Sequence, residues 1–136
     1  MIYAEEVNYW QTSRTSPDAW LEKAKREVIR AKGSVLREGF GSDQTGRAVY
    51  MLVFEFHGDR FKAVWPVLPS KSGNERAARI QAATMLYHGV KARCVSARIL
   101  GHRAAFFTYF LLPDGRTAAE VSTPDLLEAM PKLLTA

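Results

Sequence analysis

The sequence predicts a single α+β domain in the order α-β-β-β-α-β-β-α, with a mainly antiparallel sheet and its helices packed on one face. Three observations carry this expectation. The chain has 136 residues, close to the common size of one domain and short for two. Its apolar residues fall into dense runs bounded by glycine- and proline-containing turns, the pattern of a packed core rather than of disorder. Along the chain, the apolar spacing changes from helical to alternating and back to helical, which places helices on either side of a meander.

Residues 1–15 are polar with scattered aromatics, Tyr3, Tyr9 and Trp10, and read as an extended or loosely attached arm before a domain at 16–136. Ser16-Pro17-Asp18 opens the first helix: the serine caps, the proline suits the first helical position, and the aspartate favours the positive end of the dipole. Trp20, Ala24, Val28 and Ala31 recur at helical spacing, and Gly33 closes the helix. Strands follow at Ser34–Phe40, Arg47–Phe56 and Arg60–Val67, turned at Gly41–Gly46 and at His57-Gly58-Asp59. The third alternates, with Phe61, Ala63 and Trp65 on one face and Arg60, Lys62 and Val64 on the other.

Ser72-Gly73-Asn74-Glu75 has the pattern of a capping box and starts an alanine-rich helix. That helix ends at Gly89 before a strand from Val90 to Ile99, or it continues to Leu100 with Gly101 as its cap; the spacing of Ala83, Tyr87, Val90, Cys94 and Ala97 allows the second. The longest apolar run, Ala104–Leu112, reads as a buried strand. Pro113-Asp114-Gly115 turns it into another, Thr117–Ser122, and Thr123-Pro124-Asp125 opens a last helix to about Leu134.

Several function classes lose support at this level. No run approaches the roughly 18 apolar residues of a membrane span, and the first residues have neither the basic nor the apolar region of a signal peptide. Cys94 is the sole cysteine, so no intrachain disulfide forms, which fits a reducing cytoplasm. Gly41 to Gly46 has the glycine spacing of a phosphate-binding loop but lacks its Lys-Ser/Thr pair and leads into a strand, so a hairpin turn is the reading. Glu55, His57 and Asp59 alternate like a metal or acid–base cluster, yet two of them flank Gly58 in a turn, where polar residues are expected. Glu55, between Phe54 and Phe56, is expected to find a basic partner. His88, Cys94 and His102 match no ligand spacing. Neither an enzyme nor a cofactor or metal site is expected.

Charge carries the functional expectation. The whole chain has a formal net charge of +5, but Arg60 to Arg103 holds nine basic residues against Glu75 alone, and the remainder is net negative. Such asymmetry speaks of partners. Arg60 and Lys62 on a strand, Lys71 in a loop, and Arg76 and Arg79 at a helix start would form one positive groove able to neutralise phosphates, with Trp65 and Tyr87 available to stack on bases. The expected partner is single-stranded nucleic acid, with no membrane role; the alternative is a small interaction module with an acidic protein partner.

The order of helix, three-stranded meander and alanine-rich basic helix over Pro17–Gly33, Ser34–Val67 and Ser72–His88 resembles the core of Rad52- and ERF-type single-strand annealing proteins. The resemblance implies single-stranded DNA held between meander and helix, lined here by Arg60, Lys62, Lys71, Arg76 and Arg79. It also implies a homo-oligomer, a ring or a filament. The hairpin at Ala104–Ser122 and the final helix fall outside that layout.

Overall fold

A computed structural model describes residues 1–120; the helix expected from Thr123 lies outside them. Helix α1, Pro17–Arg30, begins as its sequence dictates, with the Ser16 hydroxyl accepting the Ala19 N–H at 3.2 Å and proline in the first turn. It buries Leu21, Ala24 and Val28. Its end differs from the expectation. Lys32, not Gly33, takes the left-handed conformation, with φ of 74°. Gly33 serves close packing instead: a Cβ there would lie 2.6 Å from the Phe56 ring.

The meander follows as β1 (Ser34–Ser42), β2 (Ala48–Phe56) and β3 (Asp59–Pro66), antiparallel in the order β1-β2-β3. Asp43 builds the first turn by accepting the N–H groups of Thr45 and Arg47, each at 2.9 Å. His57 and Gly58, with φ of 51° and 85°, make the second, a two-residue hairpin of the twist that antiparallel strands favour. The register pairs Tyr50 with Trp65, Leu52 with Ala63 and Phe54 with Phe61. Alternation places the pairs Val53–Lys62 and Glu55–Arg60 on the opposite face.

Helix α2, Glu75–Leu100, is one uninterrupted element of 26 residues. It passes through Gly89 and stops at Gly101, whose φ is 86°. Ala82, Ala83, Leu86, Val90 and Cys94 pack with Leu21, Ala24 and Val28 of α1 on the sheet face that carries Tyr50, Leu52, Phe54 and Phe61. One core thus joins helices and sheet in a single α+β domain, with α1 and α2 on one face.

Two expectations fail after α2. Ala104–Leu112 is not a strand: helix α3 (His102–Ala105) and a 3-10 turn (Phe107–Tyr109) occupy most of it. The helical turns point Phe106 inward, fully buried, with its ring centroid 5.2 Å from Phe54, 5.4 Å from Phe56 and 5.6 Å from Phe61. What remains of the second hairpin is a pair of bridges, Phe61 to Phe110 and Leu111 to Thr117, around the turn at Pro113-Asp114-Gly115. The described part of the strand expected at Thr117–Ser122, residues 117–120, is not a strand either. Thr117 and Glu120 exchange hydrogen bonds of 3.3 Å as a capping box, and residues 118–120 are helical.

Residues 1–15 are attached, not loose. Ala4 is fully buried and donates its N–H to the Pro69 carbonyl at 2.8 Å. The buried Gln81 donates from Nε2 to the carbonyls of Ala4, Val7 and Asn8 at 2.9, 3.2 and 2.9 Å. Among the described residues no helix is long and apolar enough to cross a membrane.

Candidate nucleic-acid interface

The fold divides the expected groove. Arg60 and Lys62 stand on the sheet face turned away from α2, because Phe61 and Ala63, which alternate with them, enter the core. Arg60 pairs there with Glu55 at 3.5 Å, the basic partner expected for that carboxylate. Lys71, in the loop between β3 and α2, is bound to Glu6 at 2.9 Å and lies 5.0 Å from the centroid of the Tyr3 ring. Arg76 and Arg79 share the start of α2 on the helical side of the sheet. Trp65 is half-buried against the core, so its ring is largely committed to packing. The five cations therefore do not form a continuous strip.

Arg76 and Arg79 remain together. Asn74 caps α2, its Oδ1 accepting the Ala77 N–H at 3.1 Å; Ser72, expected in that role, instead bonds elsewhere. Arg79 donates from Nε to the Tyr50 hydroxyl at 2.9 Å and lays its guanidinium 4.3 Å from the Phe40 ring centroid. The contact fixes a flat cation at the surface. Burial pushes the Tyr50 phenol up, against the pull of Arg79, so the phenol stays neutral and this contact does not pair Arg79 with an anion. Arg76 is exposed and makes no ion pair among the described residues.

Both arginines line a cleft of about 400 Å³ with Ser16, Asp18 and Glu75, so the first turns of α1 and α2 open onto the same space. Their dipoles add positive potential that Asp18 and Glu75 offset in part. Arg79 also walls an adjoining cleft of about 390 Å³ whose lining includes Phe40, Val67, Leu68 and Pro69. A fixed cation thus stands between a charged space and a second one with an apolar wall, which Ser70 and Glu75 also line. On the far edge of β3, Lys62 and Trp65 line a larger cleft of about 720 Å³ with Arg93 and Tyr109. That cleft is mixed in charge, since Asp43 and Asp114 also enter it.

Another set of residues is assembled by packing. Tyr9 stacks on His88, with centroids 5.0 Å apart and planes 16° off parallel, and Trp20 meets Tyr87 at 5.2 Å. Lys23 lies 4.4 Å from the Trp20 ring and Lys91 lies 5.8 Å from Tyr87. The sequence held part of this signal, a lysine three or four residues after an aromatic on each helix. It held nothing that brought the two helices and Tyr9 together.

The residues weighed for catalysis are in ordinary roles. His57 forms the turn, and Asp59 accepts from Arg103 Nε at 2.7 Å and lies 2.9 Å from His102 Nε2. Arg103, then His102, holds the Asp59 carboxyl down at about 2. Cys94 is buried in the core, which pushes its thiol up to about 11. Among the described residues no group of three His, Cys, Asp or Glu side chains is placed to hold a metal ion. Comparison of the chain with protein-family models, with curated proteins and with solved structures finds no match.

Proposed function

We propose that the chain binds single-stranded DNA without catalysing a reaction, with Arg76 and Arg79 as its main phosphate contacts. The observation that carries this reading is Arg79, a guanidinium held flat by Tyr50 and Phe40 between two clefts. Phosphates would meet Arg76 and Arg79, and bases would lie against the apolar wall beside them, the pairing that sequence-tolerant single-strand binders use. The succession of α1, β1–β3 and α2 is the layout on which the resemblance to Rad52- and ERF-type proteins rests, and it supports the same reading.

The test is fluorescence anisotropy with a labelled single-stranded oligonucleotide at salt concentrations from about 50 to about 200 mM. Affinity should fall steeply with salt. Changing Arg76→Glu and Arg79→Glu together should weaken binding and lower the salt slope by about two contacts. No binding at low salt would sink the proposal. Equal affinity for polyglutamate would assign the surface to an acidic protein instead.

A further inference from the structure

The loop between β3 and α2 already holds an anion, and that anion comes from the arm at residues 1–15. Glu5 reaches it across 65 or more positions. Its Oε1 accepts the Lys71 backbone N–H at 2.9 Å. Its Oε2 accepts the Ser72 N–H at 3.0 Å and the hydroxyls of Ser70 and Ser72 at 2.7 and 2.8 Å. The loop then closes on itself, the Gly73 N–H donating to the Ser70 carbonyl at 3.3 Å, so the consecutive Lys71 and Ser72 N–H groups serve the carboxylate together. The Ser70 oxygen itself accepts the Asn74 N–H at 3.1 Å, which leaves its own proton for Glu5. Asn74 caps α2 with its side chain, so these loop donors are distinct from the amides of the helix start.

The carboxylate fills this site unevenly. Three donors converge on Oε2 and one on Oε1, although each oxygen offers about two lone pairs. Free phosphate presents more acceptor oxygens and about twice the charge, so it would spread the same donors without crowding; a backbone phosphodiester matches the carboxylate in charge and offers its two free oxygens on a wider tetrahedral centre. Partial desolvation works against the Glu5 charge, but the hydrogen bonds of Ser70, Ser72 and Lys71 outweigh it and hold the carboxyl well below the usual range. The side chain is only partly buried. Its backbone is fixed from behind by the Ala4–Pro69 bond and by Gln81, so the carboxylate has room to rotate out while the arm stays docked.

We infer that the Ser70-Lys71-Ser72 loop is a phosphate-binding site and that Glu5 is its built-in competitor, displaced when phosphate enters. The site takes phosphate oxygens whether they belong to a nucleic-acid backbone or to free phosphate, so it does not depend on the DNA-binding proposal. An intramolecular carboxylate competes at an effective concentration in the millimolar range, which keeps weak anions out.

The experiment titrates the ¹⁵N-labelled full chain with inorganic phosphate, against sodium chloride at matched ionic strength, and follows the Lys71 and Ser72 amides by NMR. Glu5→Ala should show saturable shifts at these amides, at phosphate concentrations about tenfold below those the wild type needs. Glu5→Gln keeps the size of the side chain and should fall between them. Absence of shifts in the folded variants overturns the inference, as does their reproduction by chloride. Should both variants unfold, the wild type carries the test, since high phosphate must produce the same shifts in it. A labelled single-stranded oligonucleotide then identifies the carrier. Tighter binding by Glu5→Ala assigns backbone phosphate, and unchanged binding alongside the phosphate shifts assigns free phosphate. The phosphate titration contains no nucleic acid, so its failure and that of the DNA-binding proposal are read separately.

Discussion

Gln81→Met tests what ties residues 1–15 to the rest of the fold. Gln81 is 1% exposed, and its Nε2 serves three carbonyls. Methionine has similar length and fills the same space without a donor, so the cavity contribution is small. Two N–H hydrogens supply about two bonds' worth of energy, each about 0.5–1.5 kcal/mol net. The Ala4 carbonyl keeps a second donor, the Val7 N–H at 3.2 Å, and the bonds to Val7 and Asn8 are only partly buried. The expected loss is therefore about 2 kcal/mol, with a fall in melting temperature of roughly 6–10 °C. Urea unfolding gives the first quantity. Hydrogen exchange at the Ala4 amide, bonded to Pro69, shows whether the arm detaches. Gln81→Glu should cost more, because a carboxylate would face three carbonyl dipoles. A loss under about 0.5 kcal/mol with Ala4 protection intact would refute the reasoning.

Lys32→Gly should stabilise the fold by about 0.5–1 kcal/mol, since Lys32 holds a left-handed φ of 74° that glycine adopts freely. Gly33→Ala should cost about 1–3 kcal/mol because its Cβ would meet the Phe56 ring at 2.6 Å and Val28 Cγ1 at 2.9 Å; equal stability of the two variants in urea would contradict both. Asp59 is held down from an ordinary 3.8 to about 2, so its folded state favours the charged form. Its stabilisation should be complete above the ordinary value and disappear as pH falls through about 2, and Asp59→Asn should flatten the acid-unfolding profile in that window. Matching profiles would count against the Arg103 and His102 contacts. Cys94, with its thiol pushed up to about 11 by burial and then by Glu27, should react with Ellman's reagent at neutral pH only as fast as the chain opens. Rapid reaction in the native state would contradict the packing.

Local chemistry made part of this legible. Ser16-Pro17-Asp18 fixed the start of α1, and His57-Gly58 fixed a hairpin because few residue pairs tolerate two positive φ values. The Glu55–Arg60 contact followed from the need of a carboxylate between phenylalanines for a partner. The arm was not legible, since Gln81 grips carbonyls 73 to 77 positions away and nothing local in a glutamine announces that. Ala104–Leu112 misled for a different reason. A short, almost continuously apolar run has no period to distinguish strand from helix, and the structure buries only Phe106 of it, in the aromatic cluster that decided the outcome. The capping box at Thr117 and Glu120 was present as Thr-Ala-Ala-Glu, hidden by the strand expected over the same residues. The Glu5 site also rests on a long-range contact; Ser72 reads locally as a helix cap and Lys71 as a loop cation, and neither points to residue 5.

Charge was the clearest signal in the sequence, and its placement was the least legible, because side-chain alternation decides which face a cation takes. Arg60 and Lys62 alternate with core residues in β3, while α2 covers the core face and carries Arg76 and Arg79. A DNA strand held at the start of α2 therefore has no direct contact with Lys62, and at physiological salt the field of a charge is screened within about 8 Å. Under the proposed function Arg79→Glu should weaken oligonucleotide binding about tenfold, equivalent to about 1.4 kcal/mol, and Lys62→Glu less than about twofold. Anisotropy at one fixed salt concentration separates them. Equal losses would overturn the division of the surface, and would route the strand around the edge of β3 through the cleft that Lys62 shares with Trp65 and Arg93.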